Sequence, residues 1–85
     1  MADSIYANLR VHEGIISGAE ELTFSPRVGR VTIMNDSATK DLRFKLNLNQ
    51  DYATLKPTET VSFEARTSNI HISGSGTEYR IWGLG

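Results

Sequence analysis

Tyr52-Ala53-Thr54-Leu55-Lys56-Pro57-Thr58-Glu59-Thr60-Val61-Ser62-Phe63-Glu64-Ala65 sets the architecture. Its second half alternates. Val61, Phe63 and Ala65 take one face and Ser62 and Glu64 the other, the period of a half-buried strand. Pro57 fixes its own φ and donates no hydrogen bond, so Lys56-Pro57-Thr58-Glu59 marks a bend between strands. Leu55 is placed to pack beneath that bend. The segment therefore reads as strand, corner, strand.

The same period recurs on both sides. Upstream, Leu42, Phe44, Leu46 and Leu48 alternate with Arg43, Lys45 and Asn47, so a strand with one wet face is expected over 42–48. Val28 to Met34 is another, with Val31 and Ile33 on one side and Arg30, Thr32 and Met34 on the other. Asn35-Asp36-Ser37 ends it with side chains that bond their own backbone in turns. Val11-His12-Glu13-Gly14, Ser17-Gly18 and Ser25-Pro26 read as turns or breaks, with a loop or short strand leading into Leu22-Thr23-Phe24. Downstream, Ile70-His71-Ile72, a turn over Ser73-Gly74-Ser75-Gly76, and Thr77 to Trp82 read as a hairpin. No amphipathic helix appears. Strand signals spaced in this way predict an all-β fold: a small antiparallel β-sandwich, jelly-roll or Ig-like, of about six to eight short strands.

The chain has 85 residues, which predicts one domain over 1–85, with residues 1–10 as a flexible or docking arm. It has no cysteine, so neither a disulfide framework nor thiol chemistry is available. A net charge of −1, with both signs mixed, argues against a nucleic-acid binder. No apolar run is long enough for a transmembrane helix, and Met1-Ala2-Asp3-Ser4 lacks the parts of a signal peptide. Synthesis in the cytoplasm without Sec export is the expectation.

Residues able to do chemistry are few. The two histidines, His12 and His71, have no partner at metal-ligand spacing. Ser73-Gly74-Ser75-Gly76-Thr77 lacks the lysine and following helix of a phosphate loop. No nucleophile elbow supports a Ser-His-Asp set. No enzyme, cofactor or metal is expected.

The C-terminal Tyr79-Arg80-Ile81-Trp82-Gly83-Leu84-Gly85 is more informative. With Tyr79 and Ile81 inward, Arg80, Trp82 and Leu84 point outward, and an exposed Trp beside an Arg is an interface anchor. The alternative is that the strand twists and Trp82 caps the core. The expected interface residues are Arg80, Trp82 and Leu84, with Ile5 and Tyr6 from the leading arm. A homo-oligomer is the expected state.

Three pieces together resemble a class of small virion proteins of tailed bacteriophages. They are Val31-Thr32-Ile33-Met34-Asn35-Asp36-Ser37, Thr54-Leu55-Lys56-Pro57-Thr58-Glu59-Thr60-Val61, and Ile70 through Ser73-Gly74-Ser75-Gly76 to Gly83. The resemblance covers about residues 28–85 and departs at Thr58, where the corner usually has Gly. That departure puts a positive-φ turn in doubt. The resemblance implies a non-enzymatic virion component, a capsid decoration or cement protein bound to other virion proteins. A tail, baseplate or fibre protein is the first alternative. A carbohydrate-binding module, using Trp82, Tyr52 or Tyr6 as its platform, is the second.

Overall fold

The computed structural model describes residues 9–85. Among the described residues there are four strands and no helix: β1 (Leu9–Asn35), β2 (Leu42–Lys45), β3 (Ala53–Leu55) and β4 (Thr60–Leu84). Every pairing is antiparallel. β1 and β4 contain 27 and 25 residues, several times the usual strand length. Their length follows from topology, because each runs through both layers of the sandwich.

The register defines those layers. Tyr79–Leu84 pairs with Leu9–Gly14 on one side and with Arg30–Asn35 on the other, and Arg30–Met34 pairs in turn with Thr60–Glu64. These four segments form the first layer. In the second, Asn69–Ser73 lies between Ala19–Thr23 and Arg43–Lys45, and Ala53–Leu55 flanks β2. The expected all-β antiparallel sandwich is therefore present, made of four strands, two of which bend from one layer to the other.

Several expected breaks are bends inside these long strands. Residues 70–82 do not form a hairpin, because both halves of β4 pair with β1. Gly76, at φ +74°, forms a bulge where Ile16 faces Thr77 and Ser17 faces Ser75. Gly74 is required by packing, since a Cβ there would come within 2.8 Å of Ile16 Cγ2. Gly14 and Ser17-Gly18 likewise lie within β1 rather than ending it. Ser25-Pro26 also lies within β1, where the β1–β4 register shifts between Thr23 and Val28.

The core joins both layers: Ile16, Phe24, Val28, Val31, Ile33, Leu42, Leu55, Ile70, Ile72, Tyr79 and Ile81 are buried in one cluster. Phe44 and Phe63, on different layers, stack at 6.1 Å within it. The strand expected over 42–48 ends at Lys45, although Leu46 still packs against the core. Gln50 Oε1 then accepts the Leu46 and Asn47 N–H groups, closing a turn that leaves Leu48 74% exposed.

The corner after Leu55 crosses between layers. Glu59 N–H donates to Lys56 O across a turn with Pro57 second and Thr58 third. Thr58 takes φ +66°, so the positive-φ turn forms without glycine. Its N–H donates to Ser37 O, and Glu59 Oε1 accepts the Lys56 N–H. Beside it, buried Asn35 donates to Lys40 O and Leu55 O and accepts from Ser37 N–H. One amide thus ties the end of β1 to the end of β3.

Candidate functional site

Side chains alternate along a strand, so every buried residue of the first layer implies an outward neighbour. With Ile16, Tyr79, Ile81, Val31 and Ile33 inward, the outward set is Leu9, Val11, Glu13 and Ile15 on one segment. Arg80, Trp82 and Leu84 face out on the next, and Arg30, Thr32 and Met34 on the third. The register aligns these into rows: Leu9–Leu84–Arg30, Val11–Trp82–Thr32, and Glu13–Arg80–Met34.

The first two rows are mostly apolar and open to solvent. Leu9 and Val11 are each 47% exposed and Trp82 42%. Burying such side chains gains roughly 25 cal/mol per Å². Their exposure leaves that gain unrealised in a single copy. Leu9, Arg30, Thr32, Trp82 and Leu84 line a shallow apolar recess of about 240 Å³.

Charged groups frame this patch. Arg80 grips Asp36 through two hydrogen bonds of 2.6 and 3.1 Å. That bond, with the charges of Asp36 and Glu13, holds the guanidinium protonated above its ordinary range. Arg30 pairs with Glu64 at 3.1 Å, and Thr32 shares a 2.7 Å hydroxyl contact with Ser62.

Of the expected interface residues, Arg80, Trp82 and Leu84 are brought together on this face. Trp82 is exposed rather than a core cap. Ile5 and Tyr6 lie outside the described residues. Leu9 and Val11 belong to the patch and were not anticipated, whereas exposed Ile15 lies beyond the Glu13–Arg80 row, across from Glu78. An outward apolar alternation on an edge strand looks the same in sequence as an inward one, and only the pairing with Trp82 and Leu84 assigns its face.

The histidines are engaged elsewhere. His12 Nε2 donates to Thr23 O at 2.8 Å, and its ring meets Phe24 edge-on. His71, between buried Ile70 and Ile72, faces out from the second layer with Nε2 3.9 Å from Glu21 Oε2. Glu21 also accepts from Asn69 Nδ2 at 2.6 Å.

No family model and no curated protein matches the sequence. Solved structures do match. Protein NMB1881 from Neisseria meningitidis is similar with a TM-score of 0.62 at 9% identity, over 93% of this chain and 76% of that one. An RmlC-like cupin protein from Desulfovibrio desulfuricans gives 0.59 at 8%, over 91% and 72%. Streptomyces albus HEPD, with 2-hydroxyethylphosphonate and Fe(II) bound, gives 0.66 at 14%. The chain covers 19% of HEPD, and 94% of this chain is matched. At these identities the likeness is one of fold, and the fold is cupin-like.

This finding corrects the functional expectation. The structural neighbours are cupin-fold proteins, enzymes among them, and not phage virion proteins. The decoration-protein role implied by the strand-and-corner resemblance is overturned, and the tail, baseplate and fibre alternative falls with it. Corners of the Leu-Lys-Pro type belong to antiparallel sandwiches generally and do not distinguish their uses. The carbohydrate-binding alternative needs aromatics on one platform. Trp82 is on the outer face of the first layer, whereas Tyr52 adjoins β3 in the second, under Lys45 Nζ at 4.4 Å. Tyr6 lies outside the described residues.

The Fe(II) of HEPD raises the question of a metal in this fold. Such a centre needs three or more converging donors. Among the described residues no group of three His, Cys, Asp or Glu converges, and the space between the layers is filled by the aliphatic and aromatic core. These residues do not fit a metal centre.

Proposed function

We propose that this chain is a non-catalytic domain of cupin-like fold that works through the outer face of its first layer rather than through its interior. The observation that supports this reading is the grouping of Leu9, Val11, Trp82 and Leu84 across two paired segments, all but Val11 lining a recess of about 240 Å³. Contiguous exposed apolar surface of this kind is where soluble domains bind. The interior offers no competing site. It is packed with Ile, Val, Leu and Phe, and it holds no convergent set of titratable groups among the described residues.

Two titrations at low micromolar concentration test the reading. In equilibrium dialysis against Fe(II), Mn(II) or Zn(II), no stoichiometric uptake is expected. The apolar dye ANS is expected to brighten with the wild-type chain and to lose most of that signal in Trp82→Ala and Val11→Lys. One metal bound per chain, or a dye response indifferent to both substitutions, would overturn the proposal.

A further inference from the structure

Resting on that reading, we infer that the occupant of this face is a second copy of the chain. The two copies pack face to face about a two-fold axis running along the strands, between Leu9–Gly14 and Tyr79–Leu84. The inference comes from the register. A two-fold pair buries the same patch on both partners, so the patch must be complementary to itself. For two facing sheets the axis lies in the plane between them, and aligned packing keeps the strand directions within about 30°.

An axis along the strands and between these two segments lays each residue over its cross-strand neighbour from the other copy. Leu9 meets Leu84, Val11 meets Trp82, and Glu13 meets Arg80. Apolar groups meet apolar groups, and the charged row meets its opposite. Each contact occurs twice.

Two other placements fail on the same rows. An axis along the Trp82 segment sets Arg80 on Arg80 and Glu13 on Met34. An axis along the Val11–Trp82 row, across the strands, sets Leu9 on Glu13 and Leu84 on Arg80. The first opposes like charges and the second buries charge against hydrocarbon, both of which are costly. A third, an axis across the strands between the first two rows, pairs Leu9 with Val11 and Leu84 with Trp82. It is told apart because it leaves Glu13 and Arg80 out of the contact and their variants silent. Within one copy Glu13 lies across from Arg80 and its charge acts on that guanidinium, while the Arg80 hydrogen bonds go to Asp36. The second copy brings another Arg80 over Glu13. Two strand segments per copy make a small contact, so the dimer is expected to be dissociable.

The test is sedimentation velocity of the full chain from micromolar to millimolar concentration. Wild type is expected to shift from monomer to dimer across this range. Glu13→Arg alone opposes Arg on Arg twice, and Arg80→Glu alone opposes Glu on Glu twice. Each is expected to weaken the dimer at least about tenfold. Mixed one to one, they form a heterodimer in which both contacts are again complementary, and affinity is expected to return. Arg80→Glu also loses its grip on Asp36, so a second pair that leaves Arg80 in place is measured. Val11→Asp and Trp82→Lys each weaken the dimer, and mixing the two sets Asp on Lys and restores it.

If the single variants weaken the dimer but neither mixture rescues it, this axis is wrong. A dimer that none of the four variants changes, the signature of edge-to-edge strand pairing, overturns the inference. A strict monomer that still binds ANS in a Trp82-dependent way overturns the second copy as occupant while leaving the working-face reading intact. A monomer whose Trp82 becomes quenchable by iodide only after removal of residues 1–8 assigns the face to the chain's own leading segment.

Discussion

The two layers share one core, yet their outer faces differ. On the second layer the outward positions are Glu21, His71, Asn69, Arg43 and Lys45, each beside a polar or charged neighbour. Glu21 holds Asn69 and lies near His71, and Lys45 covers the Tyr52 ring. On the first layer the corresponding centre is Leu9, Val11, Trp82 and Leu84, with charged pairs only at its rim. A solvated sheet face has no use for Trp and Val in adjacent paired positions, whereas a contact face does. The outer face of one layer is polar at these positions, and that of the other carries the apolar group on which the proposed contact rests.

The comparison can be broken most severely from within. Ile81→Ala removes a fully buried side chain next to Trp82 on the same segment, and should cost about 2–5 kcal/mol in urea denaturation. A loss below about 1 kcal/mol would mean that inside and outside are assigned the wrong way round.

Tyr79 sharpens the comparison through pH. Burial, and secondarily the negative charge of Glu20, push its phenol above the ordinary value of 10.0. The folded state therefore keeps the proton that the unfolded chain gives up. This stabilisation is fully present below the unfolded pKa, and it is lost as pH rises through the folded one. Thermal scans should show stability falling above about pH 10, and Tyr79→Phe should flatten that limb. An unchanged alkaline limb in Tyr79→Phe would show that Tyr79 is not the group responsible.

The smallest effect on stability separates the two outer faces. Trp82→Ala and Lys45→Ala, measured at micromolar concentration where the monomer prevails, should each change stability by no more than about 1 kcal/mol. Only Trp82→Ala should abolish ANS binding. Equal dye loss in both would erase the distinction between the layers.

Much of the inside was legible because period two is a local signal. The inward placement of Val31, Ile33, Leu42, Tyr79 and Ile81 follows from alternation alone, whereas alternation leaves Trp82 between an outward place and a cap on the core, and only the fold exposes it. Continuity was not legible. Pro26, Gly18 and Ser73-Gly74-Ser75-Gly76 carry the chemistry of chain reversal, but here they bend or bulge strands that continue. What decides between the two outcomes is pairing with residues some 50 to 75 positions away, as in Gly18 with Gly74 and Leu9 with Leu84. Thr58 misleads in the same way. A β-branched residue argues against positive φ, yet the Lys56–Glu59 turn and its bond to Ser37 hold it there. The patch was half legible: its β4 side stands out through Trp82, while Leu9 and Val11 take on meaning only beside it.

The pairing of Leu84 with both Leu9 and Arg30 has a consequence for the order of events during synthesis. The segment Tyr79–Leu84 is the second of four in the first layer, not an edge, so until it arrives Leu9–Gly14 and Arg30–Asn35 have nothing between them. The nascent chain cannot close this layer before Tyr79–Leu84 has left the ribosome. Folding must then wait on contacts between segments as much as 75 positions apart, which makes it slow. During that wait the apolar strands of β1 are exposed together.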